Sequence, residues 1–161
     1  MCALLYIMAT RKEKKSRKAA LKKARKTVRR THSHSRSDKS MFVKTFLEVL
    51  NMVKLYHWKT HSYAEHKATD DLYSSLNGHM DTFVEILMGK DESRVKMLEK
   101  RIRLMDFSNT GDLKKKIHEF REFLIDMNMH LDASRDSDLL NVRDEILGDI
   151  NQFLYLLTLK K

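Results

Sequence analysis

Apolar residues recur at helical spacing along most of the chain, beginning near residue 40. Val43, Phe46, Leu47, Leu50, Val53 and His57 follow the i, i+3/i+4, i+7 rule of one helix face. Ser40 stands where an N-cap hydroxyl is wanted, so the first helix is predicted over about 40–60. Ser62-Tyr63-Ala64-Glu65 fits a capping box. The second helix then runs over 63–89 through Leu72, Leu76, Met80, Phe83, Val84 and Leu87, with Gly89 as its C′ stop. Residues 90–111 read as a connection with some helical content, because Val95, Leu98, Ile102 and Met105 keep the spacing. Ser108-Asn109-Thr110-Gly111 marks a turn. A third helix is predicted over 112–132, with Leu113, Ile117, Phe120, Leu124, Met127 and Leu131. After a polar break at 132–136, a fourth over 137–159 carries Leu139, Val142, Ile146, Ile150, Phe153, Leu154 and Leu157.

Short loops make antiparallel neighbours. Two short-looped pairs joined by one long crossover, here 90–111, predict an all-α, ferritin-like four-helix bundle over 40–161. Simple up-and-down connection is the rival topology. Composition agrees with helices: the chain has no proline and only 4 glycines, fewer than strand-and-turn architectures need. Its 42% hydrophobic content is enough for a core.

Charge divides the chain in two. Of its 161 residues, 11–39 hold 14 Lys/Arg against Glu13 and Asp38, a local net of +12. The whole chain carries +10, which leaves −2 for the rest. Residues 1–39 are therefore predicted to be a disordered basic arm, with a polyanion as its partner. Its candidate nucleic-acid-binding residues are Lys14, Lys15, Arg17, Lys18, Lys22, Lys23, Arg25, Lys26, Arg29 and Arg30. The run holds no aromatic residue for base stacking, so contact with the phosphate backbone, without sequence reading, is expected. A nuclear-import address is the nearest competing use. Cys2 is the one cysteine, so no disulfide forms within the chain, which fits an intracellular setting. The apolar opening 1–8 is shorter than the ~20 residues of a membrane span, and its positive charge follows rather than precedes it. It reads as an untargeted terminus, with Met8 and Met41 as alternative starts, and no membrane partner is expected.

Ligand-type residues concentrate between 57 and 85. His66/Asp70 and Asp81/Glu85 are i, i+4 pairs, each on one face of the second helix. At 100° per residue all four share a face, with Asp70, Asp81 and Glu85 about 40°, 60° and 100° from His66. Yet His66 and Asp81 stand 15 residues apart, about 22 Å along the axis. One helix cannot bring both pairs to one ion. Two such helices lying antiparallel can, as in a two-fold dimer. His57, near the end of the first helix, is placed to join the cluster. Mixed imidazole and carboxylate ligands suit iron, zinc or manganese.

The stretch 47–89 resembles the first two helices of the Dps mini-ferritins, the DNA-protecting iron-storage proteins. The residues that carry the likeness are His57-Trp58, His66, Asp70, Leu72-Tyr73, Asp81 and Glu85. The resemblance implies an iron-oxidising site shared across a dimer two-fold. His57, His66 and Asp70 of one copy would face Asp81 and Glu85 of the other, with dioxygen or peroxide taking the electrons. It also implies a homodimer or larger homo-oligomer. The interval from His57 to His66 is about three residues shorter than the family's and lacks its glycine, and no Ala-Glu-Arg stretch follows Glu85. The same segment resembles small, uncharacterised ferritin-like proteins of large DNA viruses, which implies the fold and, for location, host cytoplasm, nucleus or virion.

The residues and the resemblance together point to a Dps-like metal-binding bundle, with ferroxidase chemistry as the expectation and an arm that binds nucleic acid non-specifically. The alternative is a metal-free structural or nucleic-acid-packaging protein of a large DNA virus. His61 and His79 read as exposed, Trp58 as a subunit contact, and Asp144, Glu145 and Asp149 as a solvated face.

Overall fold

The computed structural model describes Ser16, Lys18 and residues 34–159. The chain divides into two units, Met1–Ser33 and His34–Lys161. In the first, Ser16 and Lys18 are helical and exposed; the other arm residues named above lie outside the described residues.

Among the described residues of the second unit there are four α-helices and no strands: α1 Arg36–Lys59, α2 Tyr63–Gly89, α3 Thr110–Asp126 and α4 Ser137–Leu156, with a 3₁₀ turn Met127–Met129 after α3. Among the described residues no helix is long and apolar enough to cross a membrane. Polar caps start three of them. Ser35, Ser62 and Asn109 side chains accept from the backbone N–H groups of Asp38, Glu65 and Asp112.

Helix α1 begins four residues earlier than its apolar pattern suggests. Ser35, not Ser40, is its cap, and Arg36–Lys39 belong to the helix rather than to the arm. Ser40 is buried, and its hydroxyl accepts the Leu98 N–H at 2.9 Å. The buried stripe of α1 keeps the predicted Phe46, Val53 and His57 and otherwise differs, with Phe42, Val49, Met52 and Tyr56 facing the core. Leu47 is 40% exposed, and Val43 and Leu50 are partly exposed. Both stripes obey the helical period, so only packing distinguishes them.

Aromatic rings join the helices. Phe83 of α2 meets Phe42 and Phe46 of α1 edge-on at 5.8 and 5.4 Å. Phe42 and Phe46 in turn meet Phe123 and Phe120 of α3. The start of α1 thus lies beside the end of α3, while Tyr56 near the end of α1 bonds Thr110 at the start of α3. The pair is antiparallel. So are α2 and α4: His79 faces Glu145 and Asp149, and Lys90 bonds Asp138.

The connection from α2 to α3 is extended rather than partly helical. It runs alongside α1 in the same direction. Leu98 meets Ser40, Glu99 pairs with Lys44, the Arg103 N–H donates to Glu48, and Asp106 pairs with Lys59. Distance explains the conformation. From Ser40 to Lys59 is about 28 Å of helix, which eight extended residues cover with about 26 Å but eight helical ones would fall far short of. Gly89 is the last residue of α2 without being its left-handed stop; that conformation falls on Glu92, at φ 52°.

Buried charges fasten the end where α1 starts. Lys39 Nζ bonds Asp91 at 2.5 Å and Ser93 at 2.8 Å. Asp136 faces Lys90 and His34, each at 3.3 Å. Burial alone would raise the Asp91 carboxyl, but hydrogen bonds from Lys39 and Ser93 outweigh it and hold the group below its ordinary 3.8. Its stabilising contribution is therefore complete above 3.8 and is lost as pH falls through the lower folded value. The melting temperature of the parent protein is predicted to drop more steeply below about pH 4 than that of Asp91→Asn. Parallel curves in a pH series of thermal melts would refute this.

Candidate metal centre

The last turn of α1 and the first turn of α2 are joined by three residues, 60–62, which bring His57 and His66 together. Their rings stack at 3.9 Å with 23° between planes. Each ring bonds the other residue's backbone. His57 Nδ1 lies 3.0 Å from the His66 carbonyl, and His66 Nδ1 lies 3.1 Å from the His57 carbonyl. A carbonyl only accepts, so both Nδ1 atoms carry hydrogen. In the neutral rings, each Nε2 then bears the lone pair. Thr69, fully buried, stands 3.3 Å from His57 Nδ1 and donates its own hydroxyl to the Glu65 and His66 carbonyls. Asp70, one turn past His66, places a carboxylate oxygen 3.9 Å from His57 Nε2. His57 itself is 7% exposed.

A second network stiffens this turn. The Glu65 carboxylate accepts from Tyr56 and Thr60 at 2.8 and 2.7 Å, and from Thr110 of α3 at 2.9 Å. Burial, together with the neighbouring Glu65 charge, raises the Tyr56 hydroxyl above its ordinary 10.0 despite the opposing bond to Thr110. It stays a donor at neutral pH. The two histidines therefore sit on a turn anchored to α1, α2 and α3.

Three of the five expected ligands, His57, His66 and Asp70, meet at this end. Asp81 and Glu85 lie exposed further along α2, at the axial distance that the spacing implies. Among the described residues of one chain, no three His, Cys, Asp or Glu side chains are gathered closely enough to hold an ion. Beside the turn, Trp58 is 67% exposed. Lys54 Nζ stands 5.8 Å from its ring centre and 4.7 Å from that of Tyr73.

His61 is exposed, as expected. His79 is not free in solvent: its Nδ1 is 3.1 Å from Glu145 and its Nε2 is 3.3 Å from Asp149. Burial raises the Asp149 carboxyl, with His79 pulling the other way. Glu145 and Asp149 are thus tied to α2 rather than merely solvated, a contact between distant segments that local spacing does not signal. Asp144 pairs with its neighbour Arg143 at 2.7 Å and is exposed, as expected of a solvated face. His34 finds Asp136.

These features define an all-α helical bundle with a paired-histidine turn between its first two helices. The chain belongs to a family of unknown function, DUF5856, whose profile matches residues 57–157. The match begins at His57 and takes in the histidine pair, the crossover and the last two helices. Comparison with curated proteins and with solved structures returns no match.

Proposed function

We propose that the protein is a ferritin-like bundle that binds a divalent metal at a site shared by two copies, with Fe(II) as the ion it takes and oxidises. The observation that carries this is the reciprocal bond between His57 and His66. Imidazoles that ligate metals ordinarily donate their other ring N–H to a carbonyl or carboxylate, which sets the tautomer and the ring orientation. Both histidines meet that condition, with the Asp70 carboxylate beside them. Asp81 and Glu85 of an antiparallel second copy would complete the set. The partly exposed Val43, Leu47 and Leu50 on α1 supply apolar area for that contact. The crossover parallel to α1 and the antiparallel neighbours support the ferritin-like layout over the up-and-down one. The arm, with its 12 Lys/Arg over 11–30, adds non-specific contact with nucleic-acid phosphates.

The competing reading is a metal-free structural or packaging protein. It takes the same two hydrogen bonds as a latch on the α1–α2 turn. Metal analysis and light-scattering mass of the purified protein, after incubation with Fe(II) and removal of excess, separate the two. Bound metal in a dimer or larger assembly is expected. A metal-free monomer overturns the proposal.

A further inference from the structure

The crossover distributes its charge unevenly. Its two acids beyond residue 94, Glu99 and Asp106, are both turned onto lysines of α1, Lys44 and Lys59. Its cations have no such partners. Lys96, Lys100, Arg101 and Arg103 are exposed, and no carboxylate of the described residues lies within ion-pair distance of them. Helix α3 extends the same field. The Glu119 carboxyl is held below its ordinary 4.5 by its bond to Lys116, and also by the charges of Lys115 and Arg103, which places crossover and α3 cations around one acid. Lys115 is exposed as well, with no carboxylate of the described residues within ion-pair distance. Because the crossover is extended, Lys96 to Arg103 covers about 23 Å.

The geometry points to this strip as a second nucleic-acid surface, built on the folded bundle and separate from the arm, that contacts the phosphate backbone of duplex DNA. It shares with the arm reading the class of partner and nothing else. Charge complementarity selects the occupant: a row of exposed cations over about 23 Å suits a regular polyanion. No aromatic residue interrupts the strip between 94 and 106, so contact is with backbone rather than stacked bases. Exposed Leu98, Ile102 and Leu104 stand among the cations over about 20 Å. They do not form the continuous apolar face that insertion into a bilayer uses.

The test uses full-length protein and a short mixed-sequence DNA duplex, with affinity followed between about 50 and 200 mM salt. Each phosphate contact contributes about 0.9 to the slope of log K against log salt. Replacing Lys96, Lys100, Arg101 and Arg103 by glutamine should make that slope shallower by about 3 to 4. A full-length variant with the ten arm cations from Lys14 to Arg30 changed to glutamine should keep measurable binding, which the four strip changes then remove. Unchanged circular dichroism and melting temperature show that these exposed positions leave the fold intact. An unaltered slope, or complete loss of binding on neutralising the arm alone, overturns the strip and leaves the arm reading standing. Binding of the arm-neutralised protein to anionic lipid vesicles but not to DNA overturns it as well.

Discussion

Joint replacement of His66 and Glu85 by alanine is expected to abolish the ferric absorbance rise that the parent protein gives on aerobic addition of Fe(II). The expectation follows from the axial distance. His66 and Glu85 are 19 residues apart on one helix, about 28 Å, so they serve different sites in one chain and the same site only across two. Each single variant then spoils both sites of a two-fold dimer. A mixture behaves differently. When His66→Ala and Glu85→Ala chains exchange, a mixed dimer has one site that lacks both groups and one that keeps both. An equal mixture is expected to recover about a quarter of the parental rise, since half the dimers are mixed and half their sites are intact. Recovery of this kind is possible only if the ligands come from two chains. Full activity in the single variants, or no rise in the parent, would remove the oxidase reading. Absence of recovery on mixing would remove the shared site alone.

Phe83→Ala is the substitution expected to cost the fold most. Phe83 is fully buried in α2 and touches the edges of Phe42 and Phe46, through which α1 reaches Phe120 and Phe123 of α3. Truncation removes the ring's transfer energy and leaves a cavity between α2 and the Phe42–Phe46 face of α1. Large aromatic-to-alanine changes of this kind cost about 3–5 kcal/mol. Small domains are stable by only about 5–15 kcal/mol, so a large share of the total is at stake. Urea unfolding should show the midpoint fall with the slope nearly unchanged. A loss under about 1 kcal/mol would mean that α1 and α2 are not held together through this ring.

The candidate site was partly legible along the chain. His66 and Asp70, and Asp81 and Glu85, are i, i+4 pairs whose common face and axial separation follow from helix geometry alone, and α2 keeps both. The exchange of hydrogen bonds between His57 and His66 was not legible. It depends on how tightly residues 60–62 turn, and on Thr69 and Glu65 bracing that turn from behind. Nor was the position of His79 between Glu145 and Asp149, whose partners lie more than 60 residues away.

What the sequence determined by itself was the class of structure. Apolar residues at a 3.6 period, with Ser62 as a cap and Ser108–Gly111 as a turn, place α2, α3 and α4, and their predicted core residues are buried except Val84 and Leu157, which are partly exposed. The tertiary structure decided the rest. It chose Phe42 and Val49 over Val43 and Leu47 for the inner stripe of α1, because the face with Phe42 and Phe46 is the one that meets Phe83 of α2 and Phe120 and Phe123 of α3. It also drew the 90–111 connection out straight, against its helical spacing, because Leu98 to Asp106 must keep pace with α1 from Ser40 to Lys59, about 28 Å, of which eight helical residues would cover only about 12 Å. Local periodicity expresses energies within a few residues. Which stripe is buried, and how far a connection must stretch, are set by the distances between whole helices.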